Sequence, residues 1–516
     1  MKNRLIIFFT TVFIMMYAGC DVLEEPVLDE SLQGTGDADA VSGAIAPAYG
    51  QVAWTWRHTN YFGLQEIAAD EAILPFRGGV DWFDGGKFIA VHRHLMTPSN
   101  DLVTSSWNEV TKNISRAVTA IEILRPLSEA GDQEAAGALN EMIALRAYMN
   151  MLMLDSWGLV FDKETPDQTS NILRGQEAVD YLRTELESVA DEINTDKGPG
   201  RFTQGAVWGL LTRLHLNAAV YRDPLGTPNF TTEDMNKVIE YSDNIINSGR
   251  YSLSAEYFDL FNDSNNSNPE LIYAVDQRGV LNNEHNRWAY WSLHGELFPR
   301  PEFPGADGTD GPGATPEFFQ NWVDAYGSID PAEADARFFK DEVFVPDSLQ
   351  DLTGVSPAND QNHFFCVQDT EFEIDKGIMR GNIWGPRKGE DGSFLRCDDG
   401  RVRIYPVINT RIRGAQRGTI YVDHTLEIDF TIDGRLHHTG YRFSKYQCSR
   451  TSDDCNNFSS VDIVLLRLGE IYLNRAEAKL RNGDVAGARE DLNTLRTARN
   501  ARADQIPPEL SSIDLE

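Results

Sequence analysis

The chain has 516 residues, of which 41% are hydrophobic and 10% aromatic, and it is long enough for one extended or two compact domains. Its formal net charge of −33 argues against nucleic acid or a strongly anionic polymer as partner, because the long-range field of the protein would repel both. This composition favours a well-solvated exterior that meets neutral ligands.

The N-terminus carries a mostly apolar run, Leu5–Ala18, after two basic residues. The run is shorter than the roughly 20 residues that cross a membrane as a helix, so it predicts a secretory signal peptide at 1–19. Small residues precede Cys20, as in a bacterial lipobox, and we expect lipid on this cysteine to anchor the protein to a membrane. A plain secretory signal with an incidental cysteine is the alternative. The polar residues 20–40 then form a tether.

Along most of the chain, apolar residues recur at steps of three and four, the spacing that puts them on one face of an α-helix. Thr231 can cap one of these helices, with Asp234 three residues later as in a capping box. Single helices cannot bury their apolar stripes, so we expect them to pack in pairs. The predicted helical segments are 102–125, 134–156, 176–194, 203–221, 233–248 and 461–499.

The last of these segments contains two amphipathic helices joined by the tight turn Asn482-Gly483-Asp484. Ala476 and Ala488 allow the two helices to approach closely, which is typical of a tetratricopeptide-like repeat. The sequence therefore predicts a mainly α fold, a superhelix of helical pairs with a loop-rich insert that carries short strands.

Composition divides the rest of the chain into three regions. An N-terminal helical region is expected at 41–249, and a C-terminal helix pair at 461–516. Residues 250–460 are rich in Gly, Pro, Asp and Asn and predict the loop-rich insert, with strand-like pieces at Glu270–Val275 and Arg401–Val407. Functional residues are found disproportionately in loops of this kind.

Four cysteines besides Cys20 lie in the C-terminal half of the chain. An even number in an exported protein suggests disulfides, and four cysteines permit three pairings. The close pair Cys448 and Cys455 is favoured, which leaves Cys366 with Cys397. Zinc is the alternative, but the sequence contains no CxxC pair, and we expect neither a metal nor a cofactor.

Several stretches together resemble the SusD/RagB family. These are the acidic CDVLEEP start, ALRAYMNMLMLDSWGLV at 144–160, FTQGAVWGLLTRLHLNAAVY at 202–221, NPELIYAV at 268–275 and LLRLGEIYLNRAEAKLRNGDVAGAREDLNTLR at 465–496. The resemblance implies a SusD-like α/α fold and a non-catalytic surface lipoprotein of the outer membrane. Such a protein captures nutrients, commonly oligosaccharides, for a SusC-like TonB-dependent transporter. Family chains usually continue past the last helix pair, whereas this one stops at SSIDLE, which favours a C-terminally truncated fragment.

Sugars present apolar ring faces and hydroxyl groups, so a sugar site needs aromatic platforms beside planar polar groups. Residues 67–101 offer this mix and resemble the segment that carries glycan contacts in sugar-binding members of the family. Leu95 and Met96 stand near the position where many of those members have an aromatic platform, which shifts the expected stacking to Trp82 or to another loop. The candidate glycan-binding residues of the segment are Asp70, Arg77, Trp82, Asp84 and Asn100.

A second candidate segment, 282–299, carries Trp288, Tyr290 and Trp291 in polar surroundings. Trp288 and Tyr290 would share a face if this segment is extended. These residues complete the candidate set for a neutral oligosaccharide or polysaccharide. Core packing remains open as the alternative for Trp82 and for both tryptophans of this segment.

Core packing is favoured for the tryptophans that lie on predicted helix faces, Trp107, Trp157 and Trp208. Trp54 and Trp56 lie near an expected helix start and fit either interpretation.

Enzymatic and peptide-binding functions are the alternatives to glycan capture. Asp70 with Glu71, or Asp81 with Asp84, could serve as acid and base in glycoside hydrolysis, but in so acidic a chain such pairs arise by chance. The sequence contains no GxSxG, HExxH or P-loop motif. A non-catalytic glycan-capture lipoprotein is therefore the first hypothesis, a peptide-binding lid of the same family the second, and an α-helical glycoside hydrolase the third.

Overall fold

The structure is a computed structural model, and it describes residues 37–77, 84–278, 287–297, 300–302, 304–412, 414–430 and 437–514. Several predictions made from the sequence lie outside these residues: the signal peptide, the tether up to residue 36 with Cys20, Asp81, Trp82 and the side chain of Asp84.

Long helices build the N-terminal region and return at the C-terminal end. The helices are α1 Asp37–Thr55, α2 Tyr61–Ala68, α3 Lys87–His92, α4 Asp101–Glu129, α5 Gln133–Trp157, α6 Gly175–Ala190, α7 Gln204–Arg222, α8 Thr232–Asn247, α9 Trp288–Ser292, α10 Pro316–Tyr326, α11 Pro331–Ala334, α12 Asp347–Gln350, α13 Leu468–Arg481 and α14 Val485–Ala498. The mainly α fold class predicted from the apolar spacing is confirmed.

Short strands lie mostly in the insert and form small antiparallel sheets. The strands are β1 Ala72–Ile73, β2 Val160–Asp162, β3 Asn171–Leu173, β4 Leu271–Val275, β5 Gly313–Ala314, β6 Phe339–Lys340, β7 Phe365–Val367, β8 Lys376–Met379, β9 Gly381–Asn382, β10 Trp384–Pro386, β11 Val402–Pro406, β12 Asp423–His424, β13 Arg442–Ser444 and β14 Ile463–Arg467. The three-stranded sheets run in the orders β10-β11-β7 and β13-β8-β6. The strands predicted near 270 and 401 correspond to β4 and β11.

Side-chain caps fix the starts of the main helices. Asp132 accepts hydrogen bonds from the backbone N–H groups of Glu134 and Ala135 at the start of α5. Thr231 accepts from the N–H of Asp234 at 3.1 Å, as the capping pattern predicted. At the other end of α5, Gly158 adopts φ 64°, a left-handed conformation that glycine reaches without steric cost.

The C-terminal helix pair joins the N-terminal frame although the insert separates them in sequence. Helix α13 packs against α8, and Leu216, Met235, Val238 and Ala478 form a small apolar cluster near their contact. On the same helix pair, Arg475 of α13 donates a 2.6 Å hydrogen bond to Asp243 of α8. The helical pairs therefore form one stack.

The predicted helical segment 461–499 is wrong at its beginning. Residues Ile463–Arg467 form β14, which pairs antiparallel with β4 and places Ile463 opposite Val275. Leu465 and Leu468 are three residues apart, so they continue the helical spacing by coincidence. Pairing with a strand far away in the sequence decides the conformation, and the helix begins only at Leu468.

Trp54 and Trp56 lie at a helix end and not at a helix start: α1 ends at Thr55. Trp107, Trp157 and Trp208 pack against the main hydrophobic core, as expected from their positions on helix faces.

Two disulfides staple the insert. Cys366 of β7 bonds to Cys397, with their Cα atoms 6.4 Å apart, and Cys448 bonds to Cys455, with their Cα atoms 5.1 Å apart. This is the pairing that the spacing in the sequence favoured. The first disulfide closes the longer loop, a sequence separation of 31 against 7.

Candidate ligand-binding cleft

A cavity of about 640 Å³, the cleft, lies where the helical frame meets the insert. Helices α2, α5, α7 and α9 all contribute lining residues, and the part formed by α5 and α7 is called the floor. Among the residues that line the cleft are Trp56, Tyr61, Phe62, Glu66, Glu71, Asp155, Arg213, Tyr221, Trp288, Trp291, Lys445, Tyr446 and Glu470. A volume of this size falls within the range of pockets that hold small ligands.

Aromatic rings dominate one side of the cleft. Trp288 stacks on Phe62 with ring centroids 3.6 Å apart, and Tyr446 approaches Trp288 in an edge arrangement at 4.8 Å. The indole N–H of Trp288 donates to the backbone carbonyl of Trp56 at 3.1 Å. These contacts come from the stretch 56–62 and from Tyr446, so they fix Trp288 in place more firmly than its own short helix could. An apolar, rigid surface of this kind suits the CH-rich face of a sugar ring.

Helix α9 explains which aromatic residues share the cleft. Trp288 and Trp291 are three residues apart and both line the cavity, as neighbours on one helix face do. The expectation that Trp288 and Tyr290 share a face of an extended segment is wrong, because residues 288–292 are helical. Tyr290 is half-buried and packs against the hydrophobic core of the insert.

The floor of the cleft is polar, and its charges are largely paired with each other. Arg213 forms a bidentate ion pair with Glu470, including a 2.6 Å contact from Nη2 to Oε2, and also donates to the backbone carbonyl of Leu465 at 2.5 Å. Asp155 accepts hydrogen bonds from the hydroxyls of Tyr221 at 3.2 Å and Tyr61 at 3.4 Å. Burial, together with the nearby Asp155 carboxylate, raises the pKa of both tyrosines, so they remain hydrogen-bond donors at neutral pH.

Glu66 is a carboxyl group of the cleft whose pKa is raised into the neutral range. Burial raises its pKa from 4.5 to about 7, and the neighbouring Glu71 adds to the rise while Lys445 opposes it. Near neutral pH, Glu66 is therefore protonated in part of the molecules and can then donate a hydrogen bond as well as accept one. This lets the carboxyl group meet a ligand hydroxyl in either role.

Three other predicted site residues that the structure describes, Asp70, Arg77 and Asn100, do not line the cleft. Arg77 is 1% exposed, and its guanidinium donates to the backbone carbonyls of Thr439 at 2.9 Å and Gly311 at 3.1 Å. It thus holds the insert to the segment after β1. Asp70 is exposed and its backbone carbonyl accepts from the Thr315 hydroxyl, while the next residue, Glu71, lines the cavity.

Asn100 is committed to the helical frame. Its side-chain oxygen caps α4 by accepting from the N–H of Leu102 at 3.0 Å, and its amide donates to the carbonyl of Lys87 at 3.0 Å. Leu95 and Met96, where sugar-binding relatives were expected to carry an aromatic platform, are exposed. The structure therefore brings together Trp288 and Trp291 from the predicted set and leaves Arg77 and Asn100 in structural roles.

Sequence reasoning missed Phe62 and Glu66, both on α2, and left Trp56 undecided. The signal that could have found them is the stretch WTWRHTNYFGLQEI, in which aromatic residues crowd beside a polar helix. Nothing in the local sequence shows that this stretch meets residues 288–291, more than two hundred positions later.

Three comparisons place the chain among known proteins. The SusD family model matches residues 422–508, a region that contains β14, α13 and α14. The chain is 27% identical over 395 residues to the starch-binding protein SusD of Bacteroides thetaiotaomicron, covering 74% of this chain and 62% of the relative. It is 21% identical over 290 residues to a SusD-like protein of Bacteroides ovatus, covering 53% and 50%. The matched regions thus span between half and two thirds of these relatives.

Solved structures share the fold. A SusD superfamily protein from Parabacteroides distasonis gives a TM-score of 0.61 at 15% identity, over 93% of this chain and 83% of that one. Surface glycan-binding protein A from Bacteroides thetaiotaomicron in complex with laminarihexaose gives 0.57 at 14% identity, over 92% and 83%. At such low identities these likenesses concern the fold alone, and they agree with a mainly helical SusD-like architecture.

Proposed function

Because the chain belongs to the SusD/RagB family, we propose that it is a non-catalytic surface lipoprotein that captures oligosaccharides and delivers them to a SusC-like TonB-dependent transporter. The observation that carries the proposal is the cleft with Trp288 stacked on Phe62 beside the polar groups of α5 and α7. The starch-binding relative and the neighbour bound to laminarihexaose support a carbohydrate as the class of ligand.

The charges of the cleft favour a neutral ligand over a peptide. Arg213 and Glu470 neutralise each other, so neither is free to hold the charged end of a peptide. The tyrosine hydroxyls, Asp155 and Glu66 offer hydrogen bonds of both directions, as sugar hydroxyls require. A peptide-binding lid of the same family therefore stands second.

A glycoside hydrolase is a further candidate function, because two carboxyl groups that could act as acid and base line the cleft. Glu66, with its raised pKa, resembles a general acid, and Glu71 lines the same cavity. We propose capture without hydrolysis, and a reducing-end assay separates the two functions. An increase in reducing ends that the Glu66→Gln variant abolishes would overturn the non-catalytic assignment.

The lipid anchor and the transporter are also part of the proposal. No helix among the described residues is both long enough and apolar enough to cross a bilayer. The anchor is assigned to Cys20, and labelling of cells with a fatty-acid probe should mark the wild-type chain but not a Cys20→Ser variant. Co-purification of a TonB-dependent transporter with the anchored protein would support the assembly, and its absence from gently solubilised outer membranes would contradict it.

Affinity electrophoresis tests the class of ligand. The chain beginning after Cys20 should be retarded in gels that contain a neutral polysaccharide and should run freely in gels that contain an acidic one. A parallel incubation with an oligopeptide mixture, analysed by mass spectrometry after gel filtration, tests the peptide alternative. Retained peptides without retardation by any neutral polysaccharide would favour the peptide lid and contradict glycan capture.

A further inference from the structure

A second, smaller cavity of about 400 Å³, the side pocket, lies behind the wall of the cleft. Phe258 and Phe261 line both cavities, whereas Tyr257 lines only the cleft and Asp259 only the side pocket. The turn 257–261 is therefore the partition between them. The side pocket uses none of the cleft's tryptophans, and its polar walls come from β6, β8 and the loops around 371 and 450.

Glu373 is the carboxylate at the centre of the side pocket. It is 8% exposed, and its two oxygens differ in their surroundings. Oε2 accepts hydrogen bonds from Gln447 and from Arg450, each at 3.1 Å, and Arg300 lies at 3.7 Å. Oε1 is buried and accepts no hydrogen bond from any residue that the structure describes. A buried carboxylate oxygen without a donor is costly, so an additional donor is expected there.

Lys376 faces this oxygen from β8. Its side chain is buried, 6% exposed for the whole residue, and its Nζ lies 3.9 Å from Glu373 Oε1, beyond hydrogen-bond distance. Among the described residues, no acceptor forms a hydrogen bond with this ammonium. The other lysine of the pocket differs, because Lys340 contacts Glu342 at 2.7 Å. The Lys376 ammonium and Glu373 Oε1 thus line one cavity without a hydrogen bond between them, and the 3.9 Å gap leaves room for one hydroxyl oxygen to bridge them.

The geometry fits a group that both donates and accepts. An oxygen at about 2.8 Å from both Nζ and Oε1 would meet them at close to a right angle, which a hydroxyl accommodates. A carboxylate could accept from Lys376 but could not donate to Glu373. An ammonium could donate to Glu373 but could not accept from Lys376.

The charges and the volume of the side pocket restrict the class of ligand further. Five carboxylates and three cationic side chains line it, so a further anion is disfavoured, while the buried Lys376 disfavours a cation. Phe258 and Phe261, 5% and 2% exposed, close the pocket on the side that faces the cleft. A volume of about 400 Å³ exceeds the roughly 30 Å³ share of a single water molecule, so one bridging water would leave the pocket mostly unfilled.

We propose that the side pocket is a second carbohydrate subsite, which takes one neutral sugar unit through a hydroxyl bridging Lys376 and Glu373. This rests on the proposed function, because it assigns the same class of ligand to a separate place. The turn 257–261 then separates two binding places for sugar units, one in the cleft and one in the side pocket. The tryptophans of the cleft are not needed for the second one.

Crystals of the chain soaked separately in glucose, galactose and mannose test the subsite directly. Sugar density with a hydroxyl between Lys376 Nζ and Glu373 Oε1 is the expected result for at least one of them. Water alone at that position in every soak would overturn the proposal, and so would an amino acid or dipeptide that binds there in parallel soaks while no sugar does. This measurement uses the wild-type chain, so it does not depend on how any variant folds.

Ligand-observed NMR with the same monosaccharides separates the subsite from the cleft. The Lys376→Met variant keeps the side chain's length but removes the donor, and it should weaken the binding of the sugar by at least about tenfold. The Trp288→Ala variant should leave this binding within about twofold, and Lys112→Met on the exposed face of α4 is the matched lysine control. Equal binding by wild type and Lys376→Met would overturn the subsite.

The two proposals can fail separately. If oligosaccharides bind in a Trp288-dependent manner but the side pocket holds only water, the subsite is wrong and glycan capture stands. If no sugar binds to either cavity in soaks or in solution, both are wrong.

Discussion

Replacing Glu66 by Gln should make the protein more stable at alkaline pH but not at acidic pH. The pKa of Glu66 is raised from 4.5 to about 7 by burial, with a further contribution from Glu71. A raised pKa means that the folded state binds this proton more tightly than the unfolded chain does. The protonated carboxyl therefore contributes its full stabilisation below about pH 4.5, and this contribution is lost as the pH rises through 7.

The size of the effect follows from the shift. One pKa unit corresponds to about 1.4 kcal/mol, so a shift from 4.5 to about 7 makes the ionised Glu66 cost the fold about 3 kcal/mol at pH 8. Gln has nearly the same shape and no charge, so the variant avoids this cost. Relative to wild type, its free energy of unfolding should rise with pH between about 4.5 and 8 by up to that amount.

Urea unfolding at a series of pH values measures this difference. Other buried carboxyls titrate in the same range, among them Glu296 with a pKa of about 8 and Asp462 with one of about 7, but they are common to both proteins and cancel in the comparison. Glu122→Gln, on the exposed face of α4, is the control for loss of one negative charge. If the stability advantage of Glu66→Gln over wild type stays constant across pH, or falls as the pH rises, ionised Glu66 does not destabilise the fold.

Three further predictions concern the frame that holds the cavities. Replacing Cys366 and Cys397 together by serine opens a loop with a sequence separation of 31 and should lower the free energy of unfolding by about 4 kcal/mol, measured in urea; no change would contradict a stapling role. Arg499→Ala removes the 2.7 Å partner of Glu270, which is 0% exposed and keeps Arg467 at 3.2 Å, and should cost about 3 kcal/mol in the same assay. Thr231→Ala removes the cap of α8 and should cost about 1 kcal/mol, whereas an unchanged denaturation midpoint would show that water replaces the cap.

Helical spacing predicted the frame well because its core is built from contacts between neighbours in sequence. Segments such as 134–156 and 203–221 became α5 and α7 within two residues at each end. The strand β14 was missed for the opposite reason: its partner β4 lies far away in the chain, and the local spacing of Leu465 and Leu468 fits a helix equally well. The pairing of β14 with β4 therefore cannot be recognised from the residues of β14 alone.

The residues of the cleft were predicted only in part, because the sequence does not show which side chains become buried when the insert packs against the helices. Trp288 and Trp291 were identified because aromatic residues in a polar stretch are unusual, and both line the cavity. Arg77 was chosen for its residue type, yet it is buried and bonded to backbone carbonyls, which no composition reveals. Phe62 and Glu66 belong to an ordinary amphipathic helix, and they acquire their place only when the insert packs against it.

Isothermal titration of neutral oligosaccharides, laminarihexaose among them, into the chain that begins after Cys20 measures glycan capture itself. Saturable heat is expected with at least one neutral glycan. In the Trp288→Ala variant, loss of the ring stacked on Phe62 should weaken that binding by roughly 3- to 10-fold, while Phe344→Ala, which removes an exposed ring outside the cleft, should not. Binding that is unchanged in Trp288→Ala, or heat from peptides alone, would contradict glycan capture in the cleft.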